Sequence, residues 1–147
     1  DLLLISDTDF ASANGGEGLD TLGLLSSGMT IDLTALDSLS NIEAIDMNGA
    51  GDNTLVVNPT TVLDLSDLLT TGSQSESIHW LIVNGDAYAE ENGISSGDTV
   101  QILSDDWSQT ADTAVNGINY EVYVATIDAT TSVGVMIEED LRLQQTA

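Results

Sequence analysis

The sequence predicts an all-β fold: a short β-solenoid or β-roll-like series of N-terminal rungs leading into an antiparallel β-sandwich or sheet, with one short helix. Three observations predict it. In the first half, apolar pairs alternate with Gly-, Asn- and Asp-containing turns at a spacing of roughly ten residues. Longer runs with a two-residue period appear only in the second half. Between them, Asn58-Pro59 heads the one stretch with helix-start chemistry.

Taken in order, the predicted strands of the first half are 2–6, 21–25, 30–33, 42–46 and 54–57, each carrying one or two apolar pairs. The turns between them are Gly15-Gly16-Glu17-Gly18, Ser26-Ser27-Gly28, the segment 37–41 and the segment 48–53. An ordinary meander has the same spacing as stacked rungs, so spacing alone leaves both arrangements open. Asn58 can accept from the free amides of a helix start, Pro59 suits the first helical position, and Val62, Leu63, Leu65, Leu68 and Leu69 supply its apolar face. A polar loop over 70–77 follows. The second half returns to strands at 78–83, 99–103, 118–127 and 132–137, separated by Asn84-Gly85-Asp86, Ser96-Gly97-Asp98, Asn116-Gly117 and Asp128-Ala129. A chain of 147 residues is expected to form a single domain over 1–147. It divides into a rung-like β half (1–58), a short helix (59–69) and an antiparallel β half (78–140).

The charge is extreme. The chain carries 25 Asp and Glu against one basic residue, Arg142, for a formal net charge of −24. Hydrophobic residues make up 41% of it, too many for a disordered acidic tail, so the chain is expected to fold. A folded body this acidic repels itself, and screening, salt or bound cations must offset that repulsion. Calcium suits the composition, because it takes roughly six to eight oxygen ligands and the chain is rich in Asp, Asn, Ser and Thr. The other reading of the acidity is solubility or adaptation to salt.

Several classes are excluded. Without cysteine there is neither a disulfide framework nor a thiolate metal site. With Arg142 as the one basic side chain there is no patch for nucleic acid or for an anionic membrane surface. No apolar run approaches the length of a membrane span. The chain opens on Asp1 without an initiator Met and is expected to be mature or trimmed from something larger. His79, the single histidine, lies in the apolar run Ile78-His79-Trp80-Leu81, where a half-buried, hydrogen-bonded imidazole is expected. Carboxylates for a hydrolase abound, but with aromatics at 4% the sequence offers few platforms for a sugar, so no catalytic residue is assigned.

The sharpest local motif is Gly15-Gly16-Glu17-Gly18-Leu19-Asp20-Thr21-Leu22. Glycines let the backbone turn and aim carbonyl oxygens inward, the Asp supplies charge, and the apolar residue two positions on enters the core. One copy of this glycine-rich nonapeptide supplies half of a calcium site, and Asp7 and Asp9 upstream are candidates for the rest. A hairpin turn without an ion is the plainer reading. A second constellation, Asp46-Met47-Asn48-Gly49-Ala50-Gly51-Asp52-Asn53, alternates oxygen donors with glycines but lacks the terminal Glu of an EF-hand. The candidate calcium ligands are therefore Asp7, Asp9, Gly15, Gly16, Gly18, Asp20, Asp46, Asn48 and Asp52. Asp86, Asp98, Asp105 and Asp106 stand at strand ends, where carboxylates usually cap turns, with at most one expected to bind metal.

The ordered series Asp1 to Phe10, the Gly-Gly-Glu-Gly-Leu-Asp turn, Ile31-Asp32-Leu33, the segment 40–46, the segment 52–57 and Val62-Leu63-Asp64-Leu65-Ser66-Asp67 resembles a module of RTX-type bacterial surface proteins and adhesins exported by type I secretion. The resemblance implies a secreted, cell-surface, calcium-stabilised segment that folds after export and serves adhesion without catalysis. Calcium coordination is the one family property it carries to Gly15, Gly16, Gly18 and Asp20. Expected partners are calcium ions, other copies or neighbouring repeats, and a sugar or protein ligand. The alternative is a self-assembling subunit of an extracellular filament or surface layer bridged by calcium.

Overall fold

A computed structural model of the chain describes residues 1–65 and 77–146. The chain is all-β with one short helix, and its strands run through two main sheets in successive tiers. The first tier holds β1 (Leu2–Ile5) and β2 (Ala13–Asn14). The second holds β3 (Thr21–Leu24), β4 (Thr30–Asp32) and β5 (Leu39–Ser40). The third holds β6 (Ala44–Asp46), β7 (Thr54–Val57) and the helix α1 (Pro59–Leu65). The fourth begins with β8 (Ser77–Asn84), inserts the hairpin β9 (Ala89–Glu91) and β10 (Ile94–Ser96), and continues with β11 (Thr99–Leu103). Then come β12 (Ser108–Gln109), β13 (Thr113–Val115) and β14 (Ile118–Thr126), and the last tier pairs β15 (Thr131–Glu138) with β16 (Arg142–Thr146).

Each tier adds its strands in parallel to those of the tier before. In the first sheet β1, β3, β6, β8 and β15 are successive parallel neighbours, and in the second β4, β7, β11 and β16 are. Register aligns the apolar positions into columns. Leu3, Leu22, Ile45, Val83 and Ile137 face one another down the first sheet, and Ile31, Leu55, Val100 and Leu143 down the second. Leu22, Ile45, Leu55, Val83 and Val100 are wholly buried. Each contributes about 1.5–3 kcal/mol of transfer free energy, so these columns are the main source of stability.

The helix starts as its sequence dictates. The Asn58 carboxamide oxygen accepts the Thr61 amide at 2.9 Å, and the Thr61 hydroxyl accepts the Asn58 amide at 3.0 Å, satisfying two main-chain donors of the first turn reciprocally. Val62 and Leu65 enter the core. Residues 66–69 of the predicted helix, and 70–76 of the predicted loop, lie outside the described residues.

The expected antiparallel half is narrower than 78–140. β8, β11, β15 and β16 extend the parallel stacks, and antiparallel pairing among the described residues is limited to β9 with β10 and to β14 with β12, β13 and β15. The reason is that an alternating strand encodes which face is buried but not the direction of its neighbour. The chain between β8 and β15 (85–130) and between β11 and β16 (104–141) is long enough for parallel returns. Predicted turns at Asn116-Gly117 do form a tight hairpin, with both residues at positive φ (52° and 83°).

Candidate functional site

The site worth describing is a pair of corners where carboxylates and one carboxamide join tier to tier. The residues immediately before β3, β6, β7 and β11 turn their side chains back to the main chain of the tier before. At the corner leading into the first sheet, Glu43 Oε2 accepts the Asp20 amide at 2.9 Å, and Asp20 Oδ1 accepts from the Asp1 nitrogen at 2.5 Å. At the corner leading into the second sheet, Asn53 Oδ1 accepts the Met29 amide at 2.9 Å, and Asp98 Oδ1 accepts the Asn53 amide at 2.8 Å. Asp20, Glu43, Asn53 and Asp98 are the four buried polar or charged residues among those described. Burying such groups is costly unless they are hydrogen-bonded, and main-chain amides of the adjoining tier supply the bonds.

Around the second corner, more carboxylates do the same work nearer the surface. Asp86 accepts the Gly49 amide at 2.9 Å, Asp52 the Gly97 amide at 2.8 Å, Glu138 the Gly85 amide at 3.2 Å, and Asp98 Oδ2 the Asp86 amide at 2.6 Å. Three tiers are thus cross-linked through acidic side chains. Burial pushes the Asp98 carboxyl above the ordinary carboxylate range. The Asp86 and Asn53 amides pull it back, and the Asp86 and Asp52 charges push it further up. Tyr120, whose hydroxyl donates to Asn84 at 2.6 Å, is raised first by burial and then by the Glu138 charge.

No basic side chain answers these charges. Arg142 lies over the Tyr88 ring, 5.0 Å from its centroid, and donates to the Tyr88 hydroxyl at 3.2 Å. Among the described residues the one ion pair joins the Asp1 nitrogen to Asp20.

The sequence-predicted ligands fall into separate places. Gly15 packs so closely that a Cβ there would overlap the Asn41 carbonyl oxygen and the Asp20 side chain, which explains a glycine at that position. Gly16 and Gly18 have φ of 99° and 112°, which favour glycine. Asp20 is wholly buried, and its Oδ2 has no hydrogen-bond partner. Asp7 is exposed and caps its own turn by accepting the Asp9 amide at 3.0 Å. Asp46 Oδ1 accepts both the Asn48 amide (3.0 Å) and the Asn48 carboxamide (2.8 Å), and Asp52 serves the stitch to Gly97. No group of three or more His, Cys, Asp or Glu placed to hold a metal occurs among the described residues. Calcium also takes carbonyl and carboxamide oxygens.

Sequence reasoning missed Glu43, Asn53, Asp86, Asp98 and Glu138 as joints between tiers. A signal was present: Asp20-Thr21-Leu22, Asn53-Thr54-Leu55 and Asp98-Thr99-Val100 repeat an oxygen acceptor, Thr and an aliphatic residue at the head of a stacked strand. His79 sits half-buried on β8, opposite Val133. Away from the corners, a cavity of about 430 Å³ lies beside α1, lined by Leu33, Leu36, Asp37, Asn58, Thr61 and Asp64. No protein-family model, curated protein or solved structure matches this chain.

Proposed function

We propose that this chain is a calcium-dependent, non-catalytic structural module of a secreted surface protein, acting by holding a stacked acidic scaffold in shape. The observation that carries the proposal is the second corner. There Asp52, Asp86, Asp98 and Glu138 reach across successive tiers, and the single arginine is engaged with Tyr88 instead. Cations from solution are the remaining means of offsetting this repulsion. The side chains fit an oxygen-loving ion: Asp52, Asp86 and Glu138 each use one carboxylate oxygen in these bonds and leave the other to take a ligand. At the first corner, the unpartnered Oδ2 of Asp20 supports the glycine-turn assignment for that residue. Surface location and an adhesive role rest on the composition and on the resemblance.

Thermal melting in EDTA, in millimolar calcium and in millimolar magnesium tests the proposal. A calcium-specific rise in Tm is expected, reduced by Asp52→Asn and by Asp20→Asn. Identical melting in all three solutions would sink it and return the acidity to solubility.

A further inference from the structure

The cavity of about 430 Å³ beside α1 takes no part in the corners, and its volume lies within the roughly 300–1,000 Å³ of small-ligand sites. One wall is the turn that follows β4, held by Asp32. The Asp32 side chain accepts the Thr34 amide at 3.0 Å and the Thr34 hydroxyl, and its carbonyl accepts the Ala35 and Leu36 amides, both at 3.1 Å. The other wall is the first turn of α1, held by the exchange between Asn58 and Thr61. The Ile42 amide donates to the Leu65 carbonyl at 3.0 Å and ties the end of the helix to the chain after β5. These bonds fix both walls in advance of any ligand.

The lining has two characters. Leu33, Leu39 and Leu65, all buried, give it an apolar part. Its polar part is rich in acceptors and poor in donors. Asp37 and Asp64 are exposed carboxylates that accept no hydrogen bond among the described residues, whereas Asp7, Asp32, Asp46 and Asp128 each cap their own turn. The hydroxyl protons of Thr34 and Thr61 are already committed, one to Asp32 Oδ1 and the other to the Asn58 carbonyl.

We infer that this cavity binds a primary alkylammonium group, with its methylenes against the leucines and its charged head at Asp37 and Asp64. An anion would meet two carboxylates and no cation in the lining. An ammonium brings three donors to a lining short of them, offsets charge, and carries an apolar stem that the leucines can cover. A second copy of this chain cannot supply the group as a lysine, because its one basic side chain is Arg142, which is engaged with Tyr88. Two sources carry the chemistry: a free alkylamine, and a lysine side chain of another protein. The inference is independent of the calcium assignment.

The test titrates the full chain, held in millimolar calcium, with n-pentylamine hydrochloride and follows amide chemical shifts by NMR. Saturable shifts are expected at Leu36, Asp37 and Asp64. Binding should be roughly tenfold tighter than that of methylammonium, the gain from burying about two methylenes. Asp37→Asn and Asp64→Asn, at exposed carboxylates without bonds to lose, should each weaken it at least about threefold, as loss of a charge-assisted hydrogen bond gives. Asp112→Asn makes the same change of net charge outside the lining and should leave it unaltered. Absence of saturation, equal binding of methylammonium, or equal weakening by Asp112→Asn would overturn the proposal, the last by reducing it to the field of the whole chain. Nα-acetyl-lysine methylamide separates the sources: shifts at the same residues with comparable affinity support a lysine side chain, and shifts with pentylamine alone support a free amine.

Discussion

Replacing Asp98 with alanine is the sharpest probe of the corner joints. Its carboxylate is wholly buried and accepts two main-chain amides from different segments, Asn53 at 2.8 Å and Asp86 at 2.6 Å. Asn53 is itself buried, so its amide would lose its partner with no water to replace it, while the Asp86 amide is only part-buried. An unsatisfied buried amide costs about 1–3 kcal/mol, and a lost charge-assisted bond about 1.5–3 kcal/mol. Against this, the substitution removes a buried charge that Asp86 and Asp52 repel. The expected net loss is about 2–4 kcal/mol. For a chain of this size that lowers Tm by roughly 5–15 °C. Urea denaturation with an unchanged m-value is the assay. Asp7→Ala, which removes a cap from an exposed turn, is the control and should cost under about 1 kcal/mol. If Asp98→Ala fell within about 0.5 kcal/mol of the parent, the carboxylates would not be joints, and the account of the corners would fail.

Other consequences follow from the same structure. A Cβ on Gly134 would overlap the Trp80 ring, which lies across it, so Gly134→Ala should push the indole outward and red-shift its fluorescence, with a loss of about 1–3 kcal/mol. An unchanged spectrum would mean the ring does not rest there. Asp98 has a raised folded-state pKa, so the protonation-linked part of its contribution to stability is fully present below 3.8 and is lost as pH rises through that raised value, leaving the hydrogen bonds that Asp98→Ala removes. Asp128 is lowered by the Thr130 amide and hydroxyl and the Thr131 amide, so its contribution is present above 3.8 and lost as pH falls. Urea midpoints against pH should therefore differ in opposite senses between the parent and the Asp98→Ala and Asp128→Ala variants; parallel curves would contradict both assignments. Burial, then the neighbouring Glu121 charge, pushes the Tyr123 phenol up to about 12. Stability from Tyr123 should fall as pH rises from 10 towards that value, and ultraviolet titration showing Tyr123→Phe to remove a phenol that ionises near 10 would refute it.

Much of the secondary structure was legible because it rests on local chemistry. Thr54–Val57 and Thr99–Leu103 coincide with their predicted strands, and the Asn58-Pro59 start with the observed helix start. The two-residue strands β2, β5 and β12 are too short to display a period. β16 has no counterpart among the predicted strands because Arg142, Gln144 and Gln145 leave it one apolar residue; only pairing with β11 places Leu143 in the column of Ile31, Leu55 and Val100. At the candidate site, the glycine turn was legible but the fate of Asp20 was not. Its burial depends on Asp1 and Glu43, 19 and 23 residues away along the chain. Asp98 was likewise read as a turn cap, because the bond that defines it reaches Asn53 across 45 residues and the inserted β9–β10 hairpin. Such joints follow from the order of tiers, which no local pattern states.

The most direct measurement is calorimetric titration of calcium into EDTA-stripped protein, with magnesium titrated in parallel. The account predicts saturable, calcium-selective binding with Kd on the order of 10⁻⁴–10⁻³ M, the range of extracellular calcium modules, weakened by Asp52→Asn. Heats that never saturate, or that are the same for both ions and unaffected by the substitution, would contradict it.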